Sequence, residues 1–557
     1  MGTKRDLSRP ATVGVAFAGV ADNSLHGRLT QSDICALRRV PLAVAIALTL
    51  PLAALAADSL PGARHDIVTP STALALMSAA PSHITGKVRR PARASPRAIA
   101  TARVVGNCND NGDGSLRAAA NVAVDGDVID MTGLTCAAIS LTTGEISLSA
   151  DNVTLAGPTN RTLFINAYHD TRLIRHTGQG VISIYDVTLE NGVYGNLGGP
   201  PPPQISKGGC VYSAGSIVLE RVSTDDCRVY SSFSGVTTGA GGAFAARDYA
   251  LIEDSHLGFS LITGWANADN ATARGGGIYA RDVYLFRSTI EGAQTRSGSG
   301  TASGGAIFAK GNAIIDRSRV SYCYAGETDN NFATSSYGGA VYVAGGASAA
   351  LGTTISNSTF SHNNARNVAA IEIVKAPAAP YTALIFNSTI SGNTAANRAG
   401  GIVSSMPLDI RNSTIAFNNA GTDSVAAGLE VYNTTVDLQS TIIARNYSPG
   451  ARTDFNIQSS TVTGSHNLIM LSPVAPSLTL TADPQLNALA FIGGPTPTLT
   501  LKITSPAIGQ GNNVQSLPYD QRGPGFSRIV DGSVDIGAVE FNSDVVFVDG
   551  FEFIYHP

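Results

Sequence analysis

Charge is scarce in this chain. Its 557 residues include 37 Lys or Arg and 41 Asp or Glu, or 14%, against roughly 25% in an average soluble domain. Long solvated helices and coiled coils need charged faces, so the scarcity excludes a helical bundle. The net charge of −4 leaves no basic footprint and excludes a dedicated nucleic-acid binder. Aromatic bulk is thin too, with 18 Phe, 17 Tyr and a single Trp, so small and β-branched side chains must fill the core. The six cysteines show no CxxC spacing, and His169, His176, His256, His362 and His466 share no ligand spacing, so no zinc site is expected. A GxSxG elbow, a Walker loop and a Rossmann fingerprint opening a βαβ unit are all missing.

Apolar material is nonetheless ample at 43%, and 59 glycines point to corners and turns. The one long apolar run, Val40 to Ala56, stands behind Arg38 and Arg39 and ends in Ala54-Leu55-Ala56. A membrane anchor has the same length, but Pro41, Pro51 and the small-residue end favour a signal peptide cleaved near Ala57. Export to the cell surface or medium, with no transmembrane span in the mature chain, is therefore the expectation. Residues 57–101 are rich in Ala, Pro, Ser and Arg without apolar period and read as a disordered basic linker. Export permits disulfides; the expected pairs are Cys108–Cys136 and Cys210–Cys227, with Cys323 single.

Self-similarity decides the fold. A signature recurs as Gly208-Gly209-Cys210-Val211-Tyr212, Gly241-Gly242-Ala243-Phe244-Ala245 and Gly275-Gly276-Gly277-Ile278-Tyr279. Two further copies begin at Gly304 and Gly338, and weaker ones near Val368, Ala399 and Ala426, with a mean period of about 31 residues. Its fourth position is apolar in every copy: Val211, Phe244, Ile278, Ile307, Val341, Ile371, Ile402 and Leu429. A second signature follows, as in Ile355-Ser356-Asn357-Ser358-Thr359-Phe360, with its Asn repeated at Asn387 and Asn412. Asn tolerates left-handed backbone, so these three are expected at bends, hydrogen-bonded to each other in a ladder rather than serving as glycosylation sequons. Short strands, Gly corners and an inward column that survives variable spacing predict an all-β, right-handed parallel β-helix of ten or eleven coils.

The Gly-Gly-Ala-Ile and Asn-Ser-Thr-Ile repeats resemble right-handed β-helix repeats, including polymorphic outer-membrane-protein passengers. Asn107-Cys108-Asn109-Asp110 with Gly114-Ser115-Leu116-Arg117 resembles the start of bacterial choice-of-anchor Q proteins. Asp483-Pro484-Gln485-Leu486, Gly493-Gly494-Pro495, Asp520-Gln521-Arg522-Gly523 and Asp535-Ile536-Gly537-Ala538 resemble that family's carboxy-terminal region. The resemblance covers about residues 103–541 and implies a secreted or surface-exposed protein of a Gram-negative bacterium. The expected organisation is an extension and signal peptide at 1–56 and the linker at 57–101. An N-terminal cap at 102–136 then precedes the β-helix at 137–482, a C-terminal cap at 483–541 and a tail at 542–557. Ser115 is the expected N-cap of a short helix from Leu116 to Ala123.

Chemistry is harder to find. Arg247-Asp248 and Arg281-Asp282 occupy one repeat position on neighbouring coils, with Glu253 and Asp254 nearby. Asp248, Asp282, Arg281 and Asp254 are thus the weak catalytic candidates of a polysaccharide lyase or glycoside hydrolase; the alternative is a solvated charge ladder. No cofactor is expected. The segment Asn109 to Gly114 imitates half of a calcium loop, but Ala120 stands where the bidentate Glu belongs, so calcium is a minor expectation. Asp520, Arg522, Asp531, Asp535 and Glu540 read as buried structural pairing. The fifth repeat position, facing outward, carries Tyr212, Tyr279, Phe308 and Tyr342. This stripe suits sugar rings or a partner surface, unless its rings merely stack on one another. The expected function is non-catalytic binding or adhesion to a polysaccharide or cell-surface ligand by a monomer that binds no nucleic acid, with the enzyme as alternative.

Overall fold

The computed structural model describes residues 101–542, apart from 196–204, 233–237, 266–271, 299, 328–334, 346–351, 376–380, 422–423 and 450–452, together with Phe547–Val548 and Glu552–Phe553. The apolar run at 40–56, the linker up to residue 100 and most of the tail lie outside the described residues. Among those described, no helix is long and apolar enough to cross a membrane.

The chain winds as a parallel β-solenoid of about eleven turns. One coil shows the plan. Val211–Ser213 lies in an 11-stranded sheet (sheet III), Ser216–Glu220 in a 13-stranded sheet (sheet I), and Ser223–Asp225 in a second 13-stranded sheet (sheet II). Each strand pairs in parallel with its counterpart on the next coil, about 4.8 Å away. The apolar column from Val211 to Leu429 is in continuous register along sheet III, and all eight side chains are fully buried in one core. The Gly-Gly pair stacks with it. Gly304 has φ +67°, and a Cβ there would lie 2.1 Å from the Ile307 carbonyl oxygen; one on Gly305 would lie 2.0 Å from the carbonyl oxygen of Gly339 on the next coil. Only glycine lets the coils approach so closely at this corner.

Between sheets I and II the chain bends through one left-handed residue per coil, including Arg221, Asp254, Arg287, Arg317, Asn357, Asn387 and Asn412, with φ between 43° and 54°. The expected asparagine ladder forms there only in part. Asn387 Nδ2 donates to Asn357 Oδ1 at 3.2 Å, but the Asn412 amide donates to the Asn512 carbonyl instead. The interior ladders come from neighbouring residues. Ser255, Ser288, Ser318, Ser358 and Ser388 each donate a backbone N–H to the hydroxyl of the serine one coil on, ending at Ser413. Asn363, Asn393, Asn418 and Asn446 pass amide hydrogen bonds of 2.8–3.0 Å down the core to Asp454. Buried amides fully satisfied by their own copies hold the coils in register.

The two ends differ from expectation in extent. Helix α1, Leu116–Asn121, is capped by Ser115, whose Oγ accepts from the Ala118 N–H. Yet Ala102–Val104 and Val128–Asp130 already pair into sheet I, so the 102–136 region supplies rungs as well as a cap. At the other end, residues 483–541 run back along the outer face of sheet II. There Gln521 bonds both Thr359 and Thr389, and the Ala538 N–H donates to Thr414. Arg528, fully buried, donates to Asn387 Oδ1 at 2.7 Å. The carboxy-terminal segment is thus a strip along several coils.

One feature had no sequence signal. After sheet II, the middle coils leave the cylinder along sheet IV (Val193–Tyr194, Cys227–Ser232, Ser260–Trp265, Ala293–Ser297, Tyr324–Glu327). They return along sheet V (Ile205–Lys207, Thr238–Ala240, Thr272–Arg274, Thr301–Ser303, Ser335–Tyr337) just before the Gly-Gly corner. The two sheets pack as a thin fin. Its sheet V column is Ser206, Gly239, Ala273, Ala302 and Ser336, small because a Cβ on Gly239 would lie 2.5 Å from Ile262 Cγ2. Disulfides join Cys108 to Cys136 and Cys210 to Cys227, the latter at the fin's root; Cys323 is free and buried.

Candidate functional site

The crook between sheet III and the fin is built by two columns. Sheet III contributes Tyr212, Ala245, Tyr279, Phe308 and Tyr342 in register; sheet V contributes Lys207, Ala240, Arg274, Ser303 and Tyr337. A parallel ladder repeats one outward position every rung, which is why the aromatic side chains line up. Tyr279, Phe308 and Tyr342 stack along the axis, with centroids 5.6 Å apart for Tyr279–Phe308 and 5.1 Å for Phe308–Tyr342, while Ala245 separates Tyr212 from them. Stacking turns ring faces toward each other and leaves Tyr279 8% and Phe308 5% exposed. The crook therefore offers ring edges rather than open faces.

Cations complete it. Arg274 lies 5.3 Å from the Phe308 centroid, Lys310 4.9 Å from that of Tyr279, and Lys207 6.0 Å from that of Tyr212. Each is half-buried, and none of the three forms a salt bridge with a carboxylate among the described residues. Arg172 differs: buried 3.7 Å from the Tyr194 ring, it is paired with Glu145. The general habit of this surface is pairing, so three unspent cations in one crook stand out as a potential anion contact.

The weak catalytic candidates are brought together in pairs and neutralised in pairs. Arg281 reaches Asp248 at 3.2 Å and Asp282 at 2.9 Å, while Arg247 also contacts Asp248. Asp254 is held by Arg287 through two bonds of 2.8 Å, and the same guanidinium bonds Glu253. These acids form a charge ladder across adjacent coils. Among the described residues, no group of three or more His, Cys, Asp or Glu side chains is placed to hold a metal ion. In the calcium-like segment, Asp110 accepts from Arg117 and from the N–H and hydroxyl groups of Thr142 and Thr143. Burial opposes its ionisation, but these bonds prevail and hold its carboxyl at about 2. Its lone pairs are spent on the cap.

Of the carboxy-terminal acids, Asp520 and Glu540 are buried in arginine pairs and Asp535 is buried against the Gly509 and Phe541 N–H groups, whereas Asp531 is exposed rather than buried. Arg522 pairs with Asp520, whereas Glu540 is bonded by Arg528 rather than by the Arg522 guanidinium. Arg522 takes only the Glu540 backbone carbonyl.

Reading the outward column three coils further reveals residues the sequence search passed over. After Tyr342 come Glu372, Val403 and Glu430, all in register and nearly fully buried. Arg398 bonds Glu430 Oε1, but Glu372 Oε2 has no partner. Burial, with Glu430 adding repulsion against the pull of Arg398, pushes the Glu372 carboxyl up to about 8. The signal was present: the repeat alignment already contained Glu372 and Glu430 at the fifth position, where the aromatic pattern stops.

No family model, no curated protein and no solved structure matches this chain, so its functional reading rests on its own geometry.

Proposed function

We propose that this is an exported cell-surface protein that binds an anionic glycan or comparable acidic surface along the crook, without catalysis. The observation that carries the reading is the set of cations, Lys207, Arg274 and Lys310, seated against aromatic rings of the crook and without a carboxylate partner among the described residues. Partly desolvated cations without counter-charges favour an anionic ligand, and the tyrosine edges add hydrogen-bonding hydroxyls. A ladder spacing of about 4.8 Å, close to the advance of one sugar along an extended chain, suits a polymer lying parallel to the axis. The terminal motifs support a place among choice-of-anchor Q proteins, and the apolar run at 40–56 supports export.

A hydrolytic reading has one observation in its favour: Glu372 and Glu430 share a face two rungs apart, beside Arg398. Two rungs, about 9–10 Å, stand at the upper limit of the spacing of an inverting pair. But Val403 between them is fully buried in a cluster with Val368 and Ala399, against which Tyr337 and Tyr432 pack. That packing leaves no place for a sugar and a water, which supports binding over hydrolysis.

The test is a binding panel of neutral, carboxylated and sulfated polysaccharides against the exported chain and a K207Q/R274Q/K310Q variant. Salt-sensitive binding of acidic polymers, lost in the variant, is expected. Equal binding by the variant would refute the crook, and release of reducing or unsaturated sugar ends would refute the non-catalytic reading.

A further inference from the structure

A second site lies where the carboxy-terminal strip meets the coils, away from the crook. Four arginines contribute to the lining of one cavity of about 280 Å³: Arg287, Arg317 and Arg319 from the coils, and Arg522 from the strip, with Pro495 and Pro524 as walls. No carboxylate lines it.

Arg287 and Arg317 occupy the same left-handed turn position on successive coils, so like charges stand one rung apart. Their acidic partners lie outside the cavity. Asp254 and Glu253 hold Arg287, Asp316 holds Arg317, Glu291 holds Arg319 and Asp520 holds Arg522. Those contacts use Nε and Nη2, and Nη1 of the four groups makes no hydrogen bond among the described residues. None of these nitrogens is sealed from solvent without a partner; among arginines that condition belongs to Arg528 Nε alone within the described residues. Arg319 lies over the Phe491 ring at 5.9 Å and Arg522 over that of Phe526 at 4.1 Å, and Thr289 adds a half-buried side chain to the lining.

We propose that this cavity is a binding site for an oxyanion carried on a small polar body, such as a phosphorylated or sulfated monosaccharide. Guanidinium edges match the oxygens of phosphate, sulfate and carboxylate in geometry and charge. The cavity exceeds what a bare inorganic anion fills and lies just below the range of ordinary small-molecule sites, which leaves room for one sugar ring. Because Arg522 and both prolines come from the strip, the ligand bridges strip and coils, and its binding tightens that seam.

Calorimetric titration of the full chain with inorganic phosphate, inorganic sulfate, glucose 6-phosphate and glucose tests this, at constant ionic strength set with chloride. The expected result is saturable one-to-one binding of the oxyanions, tightest for glucose 6-phosphate, with none for glucose. R317Q and R319Q, at partly exposed positions, should each lose about tenfold in affinity, while R247Q, far along the surface, should lose none. Thermal melts of the variants separate lost binding from lost fold. Inorganic anions binding as tightly as glucose 6-phosphate would refute the room for a sugar; no saturable binding, or equal binding by R317Q and R319Q, would overturn the site.

Discussion

Glu372 gives the sharpest physical prediction. It is 4% exposed, its Oε2 has no partner, and burial raises its carboxyl from 4.5 to about 8. An acid whose folded pKa is raised favours folding while protonated. Its stabilising protonation is therefore complete below pH 4.5 and is lost as pH rises toward 8. The interval corresponds to a ceiling of about 5 kcal/mol, and rearrangement of Arg398 toward the new charge brings the expected loss to about 2–4 kcal/mol. Glu372→Gln keeps the shape and removes the ionisation. Denaturant midpoints of both proteins at pH 4.5, 6, 7 and 8.5 should show a gap that opens with pH, in favour of the variant. Asp454, pushed up to about 6 by burial, titrates in both proteins and cancels in the difference. A gap that is independent of pH, or one that closes as pH rises, would refute the reasoning.

Two further outcomes follow from buried groups. Asn393→Ala removes the acceptor of Asn363 and the donor to both Phe360 and Asn418, so about 2–4 kcal/mol should be lost, with hydrogen exchange accelerated first at the Asn363 and Cys323 amides; unchanged exchange there would count against the ladder. Burial pushes the Cys323 thiol up to about 12, so alkylation mapped by mass spectrometry should leave Cys323 unmodified in folded protein at pH 8 and modify it only after unfolding.

The solenoid was readable because its inward column is enforced by packing: every copy of the Val211 position must be apolar, so the period survives irregular loops. The bends were readable at Asn357, Asn387 and Asn412 because left-handed backbone selects few residues. Their hydrogen bonds were not, since Asn412 answers to Asn512, 100 residues away, and local pattern carries no record of that partner. The fin escaped for a related reason. Its inner columns of Ser, Gly and Ala look like loop composition, and only the face-to-face packing of two sheets explains their smallness. In the crook, the sequence placed Tyr212, Tyr279, Phe308 and Tyr342 in one stripe, while their stacking and the approach of Arg274 from sheet V depend on the fin. Glu372 does not stand out in the sequence because the column changes character after Tyr342 and the aromatic pattern ends there.

The strip alters how the coils share load. A solenoid with contacts only between neighbours is a series circuit, in which end coils can peel away one at a time. Gln521 ties Thr359 to Thr389, Ala538 holds Thr414, and Arg528 holds Asn387. These ties wire several coils in parallel, so a pull on the carboxy terminus is divided among them instead of falling on the last rung.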